Sequence, residues 1–275
     1  MRLDRRAVLG MVGASPVLAS LPATASTPAS EDAQALIDLI FAQYAYRERL
    51  EGFPRQRLQE MRAQAESVAT ARDLVRFGER ALTAIFDHHA ILNSSRADSY
   101  GLTPSFADMW IESRDGRFVV TDVRHNSPAE RGGVRPGDAL VGVGGQSTDE
   151  AIAAFIEAPR TRLTPQQQAH CARTLAAGRR DQPRNLVFVR SGRRRALALA
   201  NLYAAPIERG EGPLSVRREG AVAVIRINDA LGDDSTIAAF DAAMGASHDA
   251  SGIVIDLRDT ASGGNTFVAR AMMGW

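Results

Sequence analysis

Apolar positions recur three and four residues apart through the first third of the chain, alternate through the middle, and merge into unbroken runs towards the end. Residues 31–95 carry the helical spacing. In "EDAQALIDLIFAQYAYRERL", Leu36, Ile37, Ile40 and Tyr44 fall on one stripe, and in "ARDLVRFGERALTAIFDHH", Leu74, Gly78, Ala81, Leu82 and Ile85 do the same, as an amphipathic helix requires. Breaks at Gly52-Phe53-Pro54 and near Ser67 divide this lead-in into a small bundle or hairpin.

The texture changes near Asn93. "ADMWIES", "RDG" and "RFVVTDV" read as two strands around a tight turn. Ser127-Pro128-Ala129-Glu130 has the chemistry of a short helix start: a Ser cap, Pro in the first turn, an acid near the positive end. Gly132-Gly133 ends it, "RPGD" turns, "ALVGVGG" is a strand, and "TDEAIAAFIEA" is a helix with Thr148 as cap. Residues 159–183 add a further helix, with Thr164 as cap, Pro165 in the first turn and Gln167 three residues after the cap. "RNLVFVRSGRRRALALANL" is a closing hairpin, its Arg193-Arg194-Arg195 run read as a solvated turn. "AAPIERGEGP" is a linker. Beyond it, strand "AVAVIRIN", a helix capped at Asp234 or Ser235, strand "GIVIDLR" and a helix from "TFVARAMMG" imply a crossover unit with two parallel strands, apolar throughout as strands buried on both faces are.

Composition narrows the chemistry. The 275 residues carry a formal charge of +1, which argues against a nucleic-acid partner. All the basic side chains are Arg, so lysine-dependent chemistry is excluded within the chain. Cys171 is the only cysteine, which excludes an internal disulfide; on a helix its neighbour His170 points about 100° away, and a buried thiol is expected. At the start, Arg2, Arg5 and Arg6 precede an apolar run from Ala7 to Leu21 and the small residues Ala23-Thr24-Ala25. That is the pattern of an export signal over residues 1–25, twin-arginine or secretory, too short for a membrane span. Its removal leaves a near-neutral, periplasmic or otherwise exported chain.

The segment "NSPAERGGVRPGDALVGVGG" closely resembles a PDZ domain of the bacterial, protease-associated type, assigned here to residues 99–204 with the helical insertion. That resemblance implies a polypeptide partner, added as a strand to an exposed sheet edge with its C-terminal carboxylate held on loop amides. Gly101 and Leu102, with the strand after them, are the implied peptide-binding residues, although "YGLTPSFADMW" lacks a compact glycine loop.

Residues 213–275 contain "IVIDLRDTASGGN", a strand running through a Gly-Gly turn into a helix. Amides at such a turn point outward and can hold an anion. A phosphate site lacks its spaced glycines and its Lys; a plain tight turn remains the competing reading. The order of helical segment, PDZ domain and this strand resembles the C-terminal processing and tricorn-like serine peptidases, matched by Asp256, Leu257, Arg258, Gly263 and Gly264, with Ala261-Ser262 where many members have Asn-Pro. The resemblance implies an α+β multidomain chain: an N-terminal helical segment, the PDZ-like β domain, and the start of a crotonase-like α/β catalytic domain. Gly263 and Gly264 become candidate oxyanion donors, with Asp256 and Arg258 bracing the turn. In "FDHH", His89 aligns with the family's general base; Asp87 is expected to point elsewhere on the helix and His88 to be exposed. No cofactor is implied and no metal is expected, since no ligand spacing supports His88-His89. The family's nucleophilic serine lies on a later elbow, so this chain is expected to be an inactive fragment. The alternative is a non-catalytic peptide-binding module.

Overall fold

The computed structural model describes residues 27–208 and 210–275; the export-signal reading over residues 1–25 lies outside them. Helix α1 spans Pro28–Gln43 and opens with a reciprocal capping box between Thr27 and Ser30. Helix α2 spans Phe53–Gln64. The Gly52-Phe53-Pro54 break is therefore a helix start, with Gly52 at φ 66° feeding Phe53 and Pro54 into the first turn. Helix α3 spans Ala71–Thr83, capped by Thr70. Ile37, Leu58, Met61, Phe77 and Ile85 pack the centre of this unit. The helical spacing predicted to residue 95 stops at Thr83; Phe86 takes a positive φ of 53°, and the chain continues in turns to the next strand.

The middle unit is an antiparallel sheet. Strands β1 (Met109–Arg114) and β2 (Arg117–Val123) are joined by Asp115-Gly116, both at positive φ as a two-residue hairpin turn requires. Helix α4 (Pro128–Arg131) is capped by Ser127 as its sequence predicts. Strands β3 (Ala139–Val143) and β4 (Gln146–Ser147) follow. Helix α5 (Thr148–Ile156) is capped by Ser147, in a box with Glu150, rather than by Thr148. Thr148 turns inward and donates to the Leu140 carbonyl at 3.2 Å. Helix α6 (Pro165–Ala177) has the Thr164–Gln167 capping box that its sequence announces. Strands β5 (Arg184–Arg190) and β6 (Arg193–Leu199) close the sheet, whose order is β1-β2-β3-β5-β6 with β4 beside β3. The arginine run is solvated at Arg193 and Arg194, but it opens β6 rather than forming the turn. Ser191 and Gly192 make the turn, and Arg195 reaches back to the carbonyls of Gly132 and Gly133, each at 3.0 Å. Ile111, Phe118, Val120, Leu140, Ile152, Leu186 and Phe188 form the core, joined by Cys171, Ala172 and Leu175 from α6 and Phe53 from α2.

The last unit is a three-stranded sheet. Strand β7 (Leu214–Glu219), absent from the sequence reading, pairs antiparallel with β8 (Val222–Ile227). After helix α7 (Ser235–Gly245), strand β9 (Gly252–Asp256) pairs parallel with β8, the crossover that the apolar runs predict. Neither predicted cap holds α7: the Asp234 side chain makes no capping bond, and the Asp233 carboxylate accepts from the Ser235 N–H at 2.9 Å. Helix α8 (Thr266–Met273) is capped by Asn265. Ile225, Ile227, Phe240, Val268 and Met272 make a small core over β8. Burial on both faces holds for β8 but not for β9, which lies at the sheet edge with Ile253, Val254 and Ile255 exposed.

Candidate functional site

Strand β1 is an edge strand, and its hairpin fixes which backbone groups face outward. A two-residue turn makes the flanking Arg114–Arg117 pair hydrogen-bonded, and the bonding alternates from there. Ser113 and Ile111 therefore turn their N–H and C=O away from β2, towards the open edge. This is the edge at which the PDZ resemblance leads one to expect an added peptide strand.

That edge is occupied by the insertion. Helix α6 packs along β1 and against α5. Its Arg173 donates to the Ile111 carbonyl at 2.9 Å and lays its guanidinium 4.1 Å from the centre of the Trp110 ring. The segments before β1 and after α6 pair with each other: Gly101 N–H donates to the Gly178 carbonyl at 2.8 Å, and Arg180 N–H donates to Ser99 at 3.0 Å. The Gly101 amide, predicted to hold a carboxylate, is thus already engaged. The Leu102 carbonyl accepts from Phe106 N–H at 2.7 Å in a turn.

Behind α6 sits a histidine pair. His88 is half-buried, not exposed as its sequence suggested, because the turn after α3 swings it under α6. Its ring stacks on His170 at 4.1 Å and accepts from Arg173 Nε through Nε2 at 3.2 Å. Burial, then the charge of Arg173, pushes the His88 pKa down to about 4. Burial also holds His170 neutral, well below the ordinary imidazole range, and its Nδ1 has no hydrogen-bond partner. A cavity of about 580 Å³ opens beside them, between α3, the turns after it and the ends of α5 and α6; Tyr100, Leu102, Phe155 and His170 are among its walls.

His89 stands apart. Its side chain is 97 % exposed, and Asp87 holds it, accepting from the backbone N–H at 2.9 Å and lying 3.3 Å from Nδ1. The expectation that Asp87 points elsewhere assumed a continuous helix; the turn brings the two together. Asp87 also accepts from the Tyr44 hydroxyl at 2.6 Å and pairs with Arg49 at 3.5 Å. Burial pushes the Asp87 carboxyl up, but these hydrogen bonds and Arg49 outweigh it and hold the pKa below its ordinary value. Burial, with the bond to Asp87, raises Tyr44 to about 12.

The glycine turn belongs to the last unit. Arg258 folds back on Asp256 through Nε at 2.9 Å and Nη2 at 2.7 Å, the bracing that the sequence predicts. That guanidinium pushes the Asp256 pKa down to about 2. Gly263, at φ 78°, spends its N–H on the Thr260 carbonyl at 3.0 Å. Gly264 lies against Leu231, where a Cβ would stand 2.5 Å from the Leu231 Cβ. Ser262 is held by Asp229 through its N–H at 2.8 Å and its hydroxyl at 2.6 Å. Among the described residues no hydrogen bond links His89 to this turn, and none joins a serine hydroxyl to a histidine ring. Replacing Arg258 by Ala is expected to return the Asp256 pKa towards 3.8, read by carboxyl-carbon NMR titration. Since the folded pKa is depressed, the pair stabilises the fold above about pH 4, and that contribution is lost as pH falls to about 2. An unchanged titration would contradict the bracing role.

Two ion pairs escaped the sequence reading, one buried on both sides and one half-exposed at its arginine. Arg184, at the head of β5, clamps Asp108 bidentately (2.5 and 2.8 Å), and Arg190 clamps Asp138, with Nη2 to Oδ2 at 2.6 Å. The available signal was an Arg at each end of a strand that is apolar from Leu186 to Val189.

The PDZ domain family matches residues 119–164, from β2 to the cap of α6. No curated protein matches the chain. The protein therefore carries a PDZ domain within a mixed helix-and-sheet fold. No helix among the described residues is long and apolar enough to cross a membrane, and no group of three or more His, Cys, Asp or Glu among them is placed to hold a metal ion.

Proposed function

We propose that these residues recognise polypeptides for an exported serine peptidase of the C-terminal processing kind, and that they bind substrate without cutting it. The observation that carries the recognition role is β1, the edge strand paired with β2 where the PDZ match begins, with the Ile111 and Ser113 backbone facing outward beside the Gly101 loop. The peptidase context is supported by the order of units: helices, PDZ domain, then the β8-α7-β9 crossover leading through the Arg258-braced turn into α8. Two observations support the binding-only role. His89 is solvated, and the Gly263 amide is consumed within its own turn. Export is proposed from the positive front and apolar run of residues 1–25; an uncleaved N-terminus in the cytoplasmic fraction would contradict it.

Calorimetric titration with a peptide bearing a free C-terminus, against its amidated twin, tests the recognition role. The free form is expected to bind at least about tenfold tighter, since a carboxylate on backbone amides makes charge-assisted bonds. Equal affinity would count against carboxylate capture. A fluorophosphonate probe is expected to leave this 275-residue chain unlabelled; labelling at a serine would overturn the binding-only role.

A further inference from the structure

We propose that α6 is a displaceable internal occupant of the PDZ peptide site, and that a polypeptide C-terminus binds by taking its place along β1. This rests on the recognition role proposed above and adds how that site is closed. Three groups a bound strand would use are already taken. Arg173 holds the Ile111 carbonyl, the Gly178 carbonyl sits on the Gly101 amide where a terminal carboxylate would go, and Arg180 N–H holds Ser99. The insertion thus imitates both halves of a ligand.

Leu175 is the one large apolar side chain that α6 buries. Four of the buried positions on α6 are alanines (Ala169, Ala172, Ala176 and Ala177), which bring little apolar area. Two more are polar, Gln168 and His170, and His170 keeps a buried nitrogen without a partner. His170 and Thr174 border the cavity of about 580 Å³, so this flank of the helix is packed only in part, through the stack of His170 on His88. Beyond the apolar contact of Cys171, Ala172 and Leu175 with the shared core, it hydrogen-bonds β1 through an arginine side chain rather than a ladder of backbone bonds. An incoming strand would supply that ladder.

A built-in reporter makes the test direct. Cys171 on α6 is fully buried, and burial raises its thiol pKa, so it reacts with maleimide only when α6 lifts. A Cβ built at Gly101 stands 3.6 Å from the Ala177 Cβ, inside the spacing of about 3.5–4.5 Å that a disulfide needs. The Gly101→Cys/Ala177→Cys variant, oxidised, locks α6 in place and leaves Cys171 as the free thiol. Wild type is expected to bind the free-C-terminus peptide and to label faster at Cys171 when peptide is present, and the reduced variant to keep that peptide-dependent labelling at whatever affinity the substitution at Gly101 leaves. Oxidised, it is expected to lose at least about tenfold in affinity and the peptide-dependent labelling. Arg173→Ala, which keeps the chain unlocked, is expected to bind several-fold tighter than wild type. Oxidised and reduced forms binding alike, with Cys171 protected in both, would overturn the inference and leave the recognition role standing. Failure of the peptide to bind wild type, Arg173→Ala and the reduced variant alike would overturn both.

Discussion

Asp108→Ala is expected to lose about 3–5 kcal/mol of stability, because it strands a buried guanidinium without its counter-charge. Asp108 and Arg184 are both buried, with side chains 0 % and 1 % exposed. The carboxylate does more than pair: it also accepts from the Ala129 N–H at 2.9 Å, anchoring the first turn of α4. Arg184 in turn donates to the Ala200 carbonyl at 3.0 and 2.6 Å. One pair therefore ties the lead into β1, the start of β5 and the end of β6 together. Urea denaturation followed by circular dichroism reads the change. A loss under about 1 kcal/mol, the worth of a solvated pair, would show that the site is wetter than its geometry implies.

Gly178→Ala is expected to cost about 3 kcal/mol, from two sources of similar size. Gly178 sits at φ 75° and ψ −177°, a region that only glycine occupies without strain. A Cβ there would stand 2.5 Å from the Cγ of Arg184, so the clasp on Asp108 must shift as well. Because both substitutions act through Arg184, the double variant is expected to lose less than the sum of the singles. Strict additivity in the same urea measurement would contradict that coupling.

Much of this was legible in the sequence wherever the signal was local. The Thr164–Gln167 box, the Ser127 cap, the Asp115-Gly116 turn and the parallel pairing of two apolar runs each need only a few neighbouring residues. What depended on distant parts was not legible. The "FDHH" segment continues the helical spacing of α3, and only the positive φ of Phe86 breaks it and sends His88 under α6. Strand β7 is polar and largely exposed, so it lacks the alternation that marks a half-buried strand. The insertion read correctly as a capped helix. That it would settle on the edge of β1 and spend the Gly101 amide could not be read from spacing, because it depends on contacts across more than 60 residues. The glycine turn read correctly as a strand end braced by Arg258, while the use of the Gly263 amide within the turn emerged only from the backbone geometry.

The most direct measurement is an NMR titration of the ¹⁵N-labelled protein with a peptide bearing a free C-terminus. The account predicts shifts concentrated on the amides of Gly101, Leu102, Ile111 and Ser113 and along α6, with residues 213–275 unmoved. Shifts confined to that last unit, with the edge of β1 silent, would contradict it.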